Sequence, residues 1–313
     1  MEKSKAVFKK RKFKRTFKRK LSMRDIGVLE FLWTWKVATT PMLKEVSFKN
    51  KSQWWVYKAL RQLKNEKLIQ VLPRGKHLDL ELWALTEAGF EVVLMDRDDI
   101  AHYRYKPHAP THDFLATCLQ LGDYWQSDVD FVHFTEQMLA SLSPSNFPKG
   151  IRDTTKHIPD GITVFRGGKT DLVVGYEVDL NLKDEEKYSE TYSYYDQHGM
   201  NTAMIVWLVR NKWIADKISL VLQEHFNREY TPKGRIFAFV LLDDFKQNLW
   251  EAKAINPSVK GISLSKLHAN LLQKVGKEPP KLVQKSFVPT FFPRHKSPQK
   301  LISYNPEVKN EIN

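Results

Sequence analysis

Cysteine is nearly missing from this 313-residue chain. The single Cys118 leaves no internal disulfide framework and no cysteine-built zinc site. Long apolar runs are missing as well: none approaches the roughly 18–20 residues a membrane span needs. The basic N-terminus has no apolar segment behind it, so no secretory signal is expected. Acid is scarce in one place. Residues 1–20 hold eleven Lys and Arg against one acid, Glu2. These absences point to a soluble, cytoplasmic chain with no membrane partner.

What is present fills two domains. Hydrophobic residues make up 42% and aromatics 12% of the chain, ample for packed cores. The formal net charge is +14. Residues 1–20 supply +10 of it and the remainder is close to balanced, so a localised polyanion-binding arm is expected. Lys12, Lys14 and Arg15, interleaved with Phe8, Phe13 and Phe17, suit phosphate neutralisation with aromatic stacking. Nuclear localisation, an anionic membrane surface or a merely solvated tail fit the same residues.

Residues 21–96 alternate helical and extended patterns. Ile26, Leu29, Phe31, Leu32 and Trp35 recur at helical spacing. Thr39-Thr40-Pro41 reads as a second helix start, and Ser52 as the cap of a third. The third helix would turn Trp55, Val56, Ala59, Leu60 and Leu63 inward, leaving Gln53, Trp54, Lys58 and Arg61 outward. Two extended runs follow around a turn carrying Arg74, Lys76 and His77, then a further helix. Three helices followed by a two-stranded basic wing is the winged helix-turn-helix order. Its third helix would enter a major groove, and the wing tip would meet the backbone. Such units also bind proteins. Residues 97–127 read as a linker and connecting helix. Its histidines, His102, His108 and His112, are expected to be structural, with His112 a cap or interdomain contact.

Residues 128–244 turn to alternating strand and helix, as in a mixed sheet with helices on its faces. Residues 245–313 carry a weaker signal and read as a partly irregular extension. The chemistry concentrates between His157 and Tyr195. Residues two apart on a strand face one side, so Glu177 and Asp179 project together. Asp160 enters the partner strand of the hairpin and would lie across from them. Converging carboxylates suit Mg²⁺ or Mn²⁺, which can activate water at a phosphodiester. A lysine alongside can orient the nucleophile or support developing charge. Pro-Asp-Gly is also a common turn, and a Glu/Lys helix is often only a solvated face.

Pro159-Asp160, Glu177-x-Asp179, Lys183 and Lys187-Tyr188 together resemble the PD-(D/E)xK nuclease fold. More narrowly they resemble the replication-relaxation family and the related MobC-class relaxases, over roughly residues 22–242, with Leu85-Thr86-x-x-Gly89 fitting the winged-helix part. The resemblance implies an α/β (α+β overall) chain, a winged helix followed by a restriction-endonuclease-like domain. It implies an Mg-dependent nickase or relaxase acting on plasmid or mobile-element DNA, in mobilisation, conjugation or replication. Asp160, Glu177 and Asp179 would be metal-binding and catalytic, with Glu136 an added acidic ligand. The usual motif lysine is Asp179 here, so Lys183 or Lys187 would substitute for it. The alternative is a catalytically inactive, sequence-specific DNA-binding protein. Tyr188, Tyr192, Tyr194 and Tyr195 are expected to pack or touch DNA, with Tyr188 open as a participant. No His-x-His pair exists to serve a tyrosine relaxase.

Overall fold

A computed structural model describes residues 20–48, 50–73, 81–95, 97, 100, 105, 107, 109–122, 131–142, 151, 157–166, 171–196, 202–228, 235–274 and 276. Helix α1 (Met23–Trp35) opens on a capping box: Ser22 Oγ accepts the Asp25 amide, and Asp25 Oδ2 accepts the Ser22 amide at 2.8 Å. This satisfies amides that have no partner within the helix. The helix buries Val28, Leu29, Phe31, Leu32, Trp33 and Trp35. A helix apolar on most of its circumference must be covered on most sides, and α1 touches α2, α4, α5, α6 and β3.

Strand β1 (Ala38–Thr39) leads into α2 (Thr40–Ser47), capped by Thr39 with Pro41 in its first turn. Ser52 caps α3 (Gln53–Asn65) through the Trp55 amide at 3.4 Å. Val56, Ala59, Leu60 and Leu63 are buried, but Trp55 is 47% exposed and not part of the inward face. Its position lies between the buried stripe and the solvent face, where a bulky ring is only half covered. Strands β2 (Ile69–Leu72) and β3 (Leu82–Leu85) form with β1 an antiparallel sheet of order β1-β3-β2. Helix α4 (Glu87–Met95) follows. Gly89 is required in it, because a Cβ there would stand 1.9 Å from the Leu68 carbonyl oxygen. The wing-tip residues Arg74, Lys76 and His77, and the arm residues Lys12, Lys14 and Arg15, lie outside the described residues.

Helix α5 (Pro110–Leu121) is the hinge-pin of the architecture: every residue from Asp113 to Leu121 is buried. It lies against β5 and β6 of the second sheet and also touches α1. That sheet holds β4 (Phe131–Thr135), β5 (Gly161–Phe165), β6 (Leu172–Asp179), β7 (Thr202–Val209) and β8 (Ile236–Leu241), in chain order. The first three are antiparallel, and β6, β7 and β8 are parallel. The parallel links run through α7 (Glu185–Tyr195) and α8 (Lys212–Arg228). Strand β7 is an almost unbroken buried run, as expected of a central parallel strand covered on both faces. The short α6 (Glu136–Ser141) follows β4.

Two apolar clusters cover the sheet. One joins α1–α5 to the face bearing Val174, Tyr176 and Val178. The other packs Tyr188, Tyr192 and Tyr195 of α7 and Ile214 and Ile218 of α8 on the face bearing Val173, Ile205 and Trp207. The segment after Asp244 is also built in. Helix α9 (Leu242–Asn248), two single 3₁₀ turns and α10 (Leu264–Lys274) bury Phe245, Trp250, Leu264, Leu267, Leu271 and Leu272 in the first cluster. The architecture is thus mixed α/β, with one small antiparallel sheet and one mixed sheet of five strands. Among the described residues no helix is long and apolar enough to cross a membrane.

Candidate functional site

The hairpin of β5 and β6 pairs Gly161 with Tyr176. Asp160, one residue earlier, therefore faces Glu177, one residue later, and its Oδ2 accepts the Val178 amide at 2.7 Å. Val173, Gly175, Glu177 and Asp179 alternate onto the α7 face of β6, opposite the side taken by Val174, Tyr176 and Val178. Gly175 is the local reason the face can form. A Cβ there would come within 2.3 Å of the Tyr195 ring, so its absence lets Tyr195 approach the strand. From there the Tyr195 hydroxyl donates to Glu177 Oε1 at 2.9 Å.

Each carboxylate meets a donor from a different element. His112, in the first turn of α5, places Nε2 3.2 Å from Asp160 Oδ2 and Nδ1 3.8 Å from Asp113 Oδ1. His157 places Nε2 2.8 Å from Glu177 Oε1 and Nδ1 3.5 Å from the Thr191 hydroxyl on α7. Lys183 Nζ lies 2.5 Å from Asp179 Oδ1. The Lys183 backbone amide donates to the Tyr188 hydroxyl at 3.0 Å, which anchors the turn that carries the ammonium. Glu177 and Asp179 are almost fully buried, at 1% and 2% exposure.

Charge follows geometry. Burial opposes ionising His112, but Asp160 and Asp113 outweigh it and push its pKa up to about 11. Burial would raise Asp160; the His112 cation, then Lys183 and the Val178 amide, reverse this and hold it at about 2. Asp179 is pushed up to about 6, by burial and by the neighbouring charges of Glu177 and Asp160, against the pull of Lys183. Burial disfavours the Lys183 ammonium, yet Asp179, Glu177 and Asp160 together raise its pKa above the usual lysine value. His157 is raised as well, with Glu177 overcoming its burial. The sheet end thus interleaves carboxylates with basic side chains.

The expected residues divide clearly. Asp160, Glu177, Asp179 and Lys183 come together, and Lys183 is the lysine that reaches a carboxylate. Lys187 is exposed on α7, one turn further on. Glu136 begins α6, where its amide donates to the Asp160 carbonyl at 3.2 Å, but its carboxylate pairs with Lys36. Gln53, Trp54, Lys58 and Arg61 are exposed on α3, away from this cluster in the chain's first sheet unit. His112 does not cap α5, whose N-cap Ala109 has no side-chain cap bond; of its two expected roles the structure shows the contact, made to Asp160. His102 and His108 lie outside the described residues.

Sequence reasoning missed His157, Asp113, Lys36 and the hydrogen bond from Tyr195. A usable signal existed for Asp113: it follows His112 as an ionisable residue opening a helix that is otherwise buried. His157 precedes Asp160 by three residues within the stretch that carries the carboxylates, but spacing alone could not assign its partner.

Asp160, Glu177 and Asp179 fit a hard divalent cation in chemical type, being buried or half-buried carboxylates on one sheet end. Among the described residues, protein partners meet Oδ2 of Asp160, Oε1 of Glu177 and Oδ1 of Asp179. Asp179, pushed up by burial and by like charge, is the carboxylate such a cation would most strongly keep ionised. No grouping of three His, Cys, Asp or Glu already spaced around one ion occurs among the described residues. No family model, curated protein or solved structure matches this chain.

Proposed function

We propose that the chain binds DNA and nicks it with a metal-dependent centre at the end of β5 and β6, acting on plasmid or mobile-element DNA. One observation carries this reading: the β-hairpin sets Asp160 opposite Glu177, with Asp179 two residues on and the Lys183 ammonium 2.5 Å from Asp179. Asp160, Glu177 and Asp179 would hold Mg²⁺ or Mn²⁺, which when bound supplies an activated water and stabilises charge on the phosphodiester. Lys183 supplies a fixed ammonium, held by Tyr188 at its backbone, where an oxyanion or nucleophile can be oriented. His112 and His157 fix the rotamers of Asp160 and Glu177. The order of α1, β1, α2, α3, β2, β3 supports a winged-helix reading for the first unit, and α3 turns three bases and no acid to solvent. Both units together support the likeness to replication-relaxation proteins and PD-(D/E)xK nucleases.

The test is conversion of supercoiled cognate plasmid to open circle by the full chain with Mg²⁺ or Mn²⁺. Asp160→Asn and Glu177→Gln are expected to abolish it while duplex binding survives. Absence of nicking by the unmodified chain, or normal nicking by both variants, sinks the enzymatic reading.

A second reading has its own support. Asp160, Glu177 and Asp179 are each satisfied by protein groups, His112, His157 with Tyr195, and Lys183. A catalytically inactive DNA-binding protein would need nothing more. It is expected to bind DNA with an affinity indifferent to Mg²⁺ and to both substitutions.

A further inference from the structure

Helix α3 carries a solvent face that an intact major groove does not explain. Trp54, Tyr57, Lys58 and Arg61 fall at spacings of three and four, so they form one stripe. Trp54 is 65% exposed, Tyr57 50% and the adjoining Trp55 47%. Three large aromatic rings in water on one helix is a costly arrangement for a free surface. The two indoles meet edge to face at 6.4 Å. Lys58 Nζ lies 5.1 Å from the Trp54 ring centre and 5.6 Å from that of Trp55. Arg61 and Lys64 continue the face with charge of the same sign.

Flat aromatic faces flanked by cations match one ligand chemistry: a base with its own face uncovered, next to a phosphate. In a closed duplex the bases present only their edges, which are read by hydrogen-bonding side chains and by contact with the thymine methyl. From this, and resting on the DNA-binding reading above, we propose that the α3 face takes single-stranded or unpaired DNA, with bases stacked on Trp54 and Trp55 and backbone phosphates at Lys58, Arg61 and Lys64.

The experiment is fluorescence anisotropy of the full chain at low salt, using labelled oligothymidylate and a duplex of equal length. The single strand is expected to bind more tightly. Trp54→Ala should weaken it by about 5- to 150-fold, the range for losing one stacked base, and weaken the duplex less. Trp54→Phe should recover most of the loss. Lys58→Ala should lower the slope of log affinity against log salt by about 0.7 on the single strand. Because Trp54 is exposed, circular dichroism of the variants should match the unmodified chain. Duplex binding without preference for the single strand, or equal losses on both, overturns this inference and leaves the DNA-binding reading standing. Binding to neither nucleic acid overturns both. If Trp54→Ala instead dissolves a dimer without changing DNA affinity, the stripe is a contact between copies and the inference is wrong.

Discussion

Replacing Lys36 by Met tests how the first unit is fastened to the sheet. Lys36 ends α1 with φ 62 and is 9% exposed overall. Its ammonium reaches Asp113 of α5 at 3.3 Å and also Glu136 of α6. Its carbonyl accepts the Tyr105 hydroxyl at 2.8 Å, and the Tyr105 hydroxyl oxygen in turn accepts the Leu85 amide. Burial works against the ammonium, but Glu136 and Asp113 prevail and its pKa is raised. A raised cation contributes fully below its unfolded value of 10.5 and loses that contribution only above it, so at pH 7 the whole effect is present. Methionine keeps most of the stem and removes the charge, leaving the buried Asp113 carboxylate without its ammonium partner and with His112 at 3.8 Å. Breaking a buried pair from one side costs about 3–5 kcal/mol. The Glu136 side chain is 36% exposed, so solvent screens that arm and about 2–3 kcal/mol is the figure to expect. Thermal unfolding should fall by roughly 4–12 °C. Adding Asp113→Asn should return part of the loss, since no uncompensated charge is then buried. If Lys36→Met melts within about 1 °C of the unmodified chain, or the two substitutions simply add, the junction is not held by this ion triad.

Two further outcomes follow from the core. Gly175→Ala drives a Cβ into the Tyr195 ring, which is fully buried and tied to Glu177. It should cost about 1–3 kcal/mol by urea unfolding, and a smaller side chain at Tyr195 should relieve part of that; a cost within about 0.5 kcal/mol refutes the contact. His268 is buried between Tyr176 and Trp250, with its pKa held down at about 3 by burial. A depressed histidine stays neutral in the fold while the unfolded chain takes a proton, so its contribution is lost as pH falls from about 6.5 towards 3. Relative to His268→Gln, the unmodified chain should lose about 2 kcal/mol between pH 7.5 and pH 5. Parallel pH curves for the two proteins would contradict the neutral, buried assignment.

Periodicity made the element order legible because most helices and strands here bury one clear set of residues. The buried run of β7 and the caps at Thr39 and Ser52 were readable for local reasons. The hairpin was readable too, since Asp160 opens the run that pairs back on the one ending in Glu177-Val178-Asp179. What stayed hidden depends on distance in sequence. Lys36 meets Glu136 one hundred positions away, and His112 meets Asp160 from the far side of β4 and α6 in sequence; no local pattern encodes either. The segment after Asp244 was weak for another reason. Its elements are short, and Trp250, Leu264, Leu267, Leu271 and Leu272 join a core built largely from earlier parts of the chain, so little of their burial is written in the segment itself. Trp55 misled because an aromatic at helical spacing is read as core, whereas its ring lies at the edge of the buried stripe.

The carboxylates at the end of β6 are not explained by stability. Asp179 pairs in register with Val209 on the neighbouring β7, an apolar residue in an equivalent layer. Val at position 179 would pack there without desolvating an ion. Burying Glu177 and Asp179 instead requires cations brought from the turn after β6 and from the segment before β5, with α5 supplying another for Asp160. Removing a fully paired ionic cluster in favour of apolar residues is often neutral or stabilising, while removing one member is costly. A chain neutralised at Asp179 and Lys183 together should therefore fold at least as well as one neutralised at Asp179 alone. If it also loses nicking or DNA affinity, the charges serve a ligand. If both are unchanged, His112, His157 and Lys183 serve only to make buried acids tolerable. The enzymatic and the silent reading part at this pair of residues, because only the first asks Lys183 to do anything beyond neutralising Asp179.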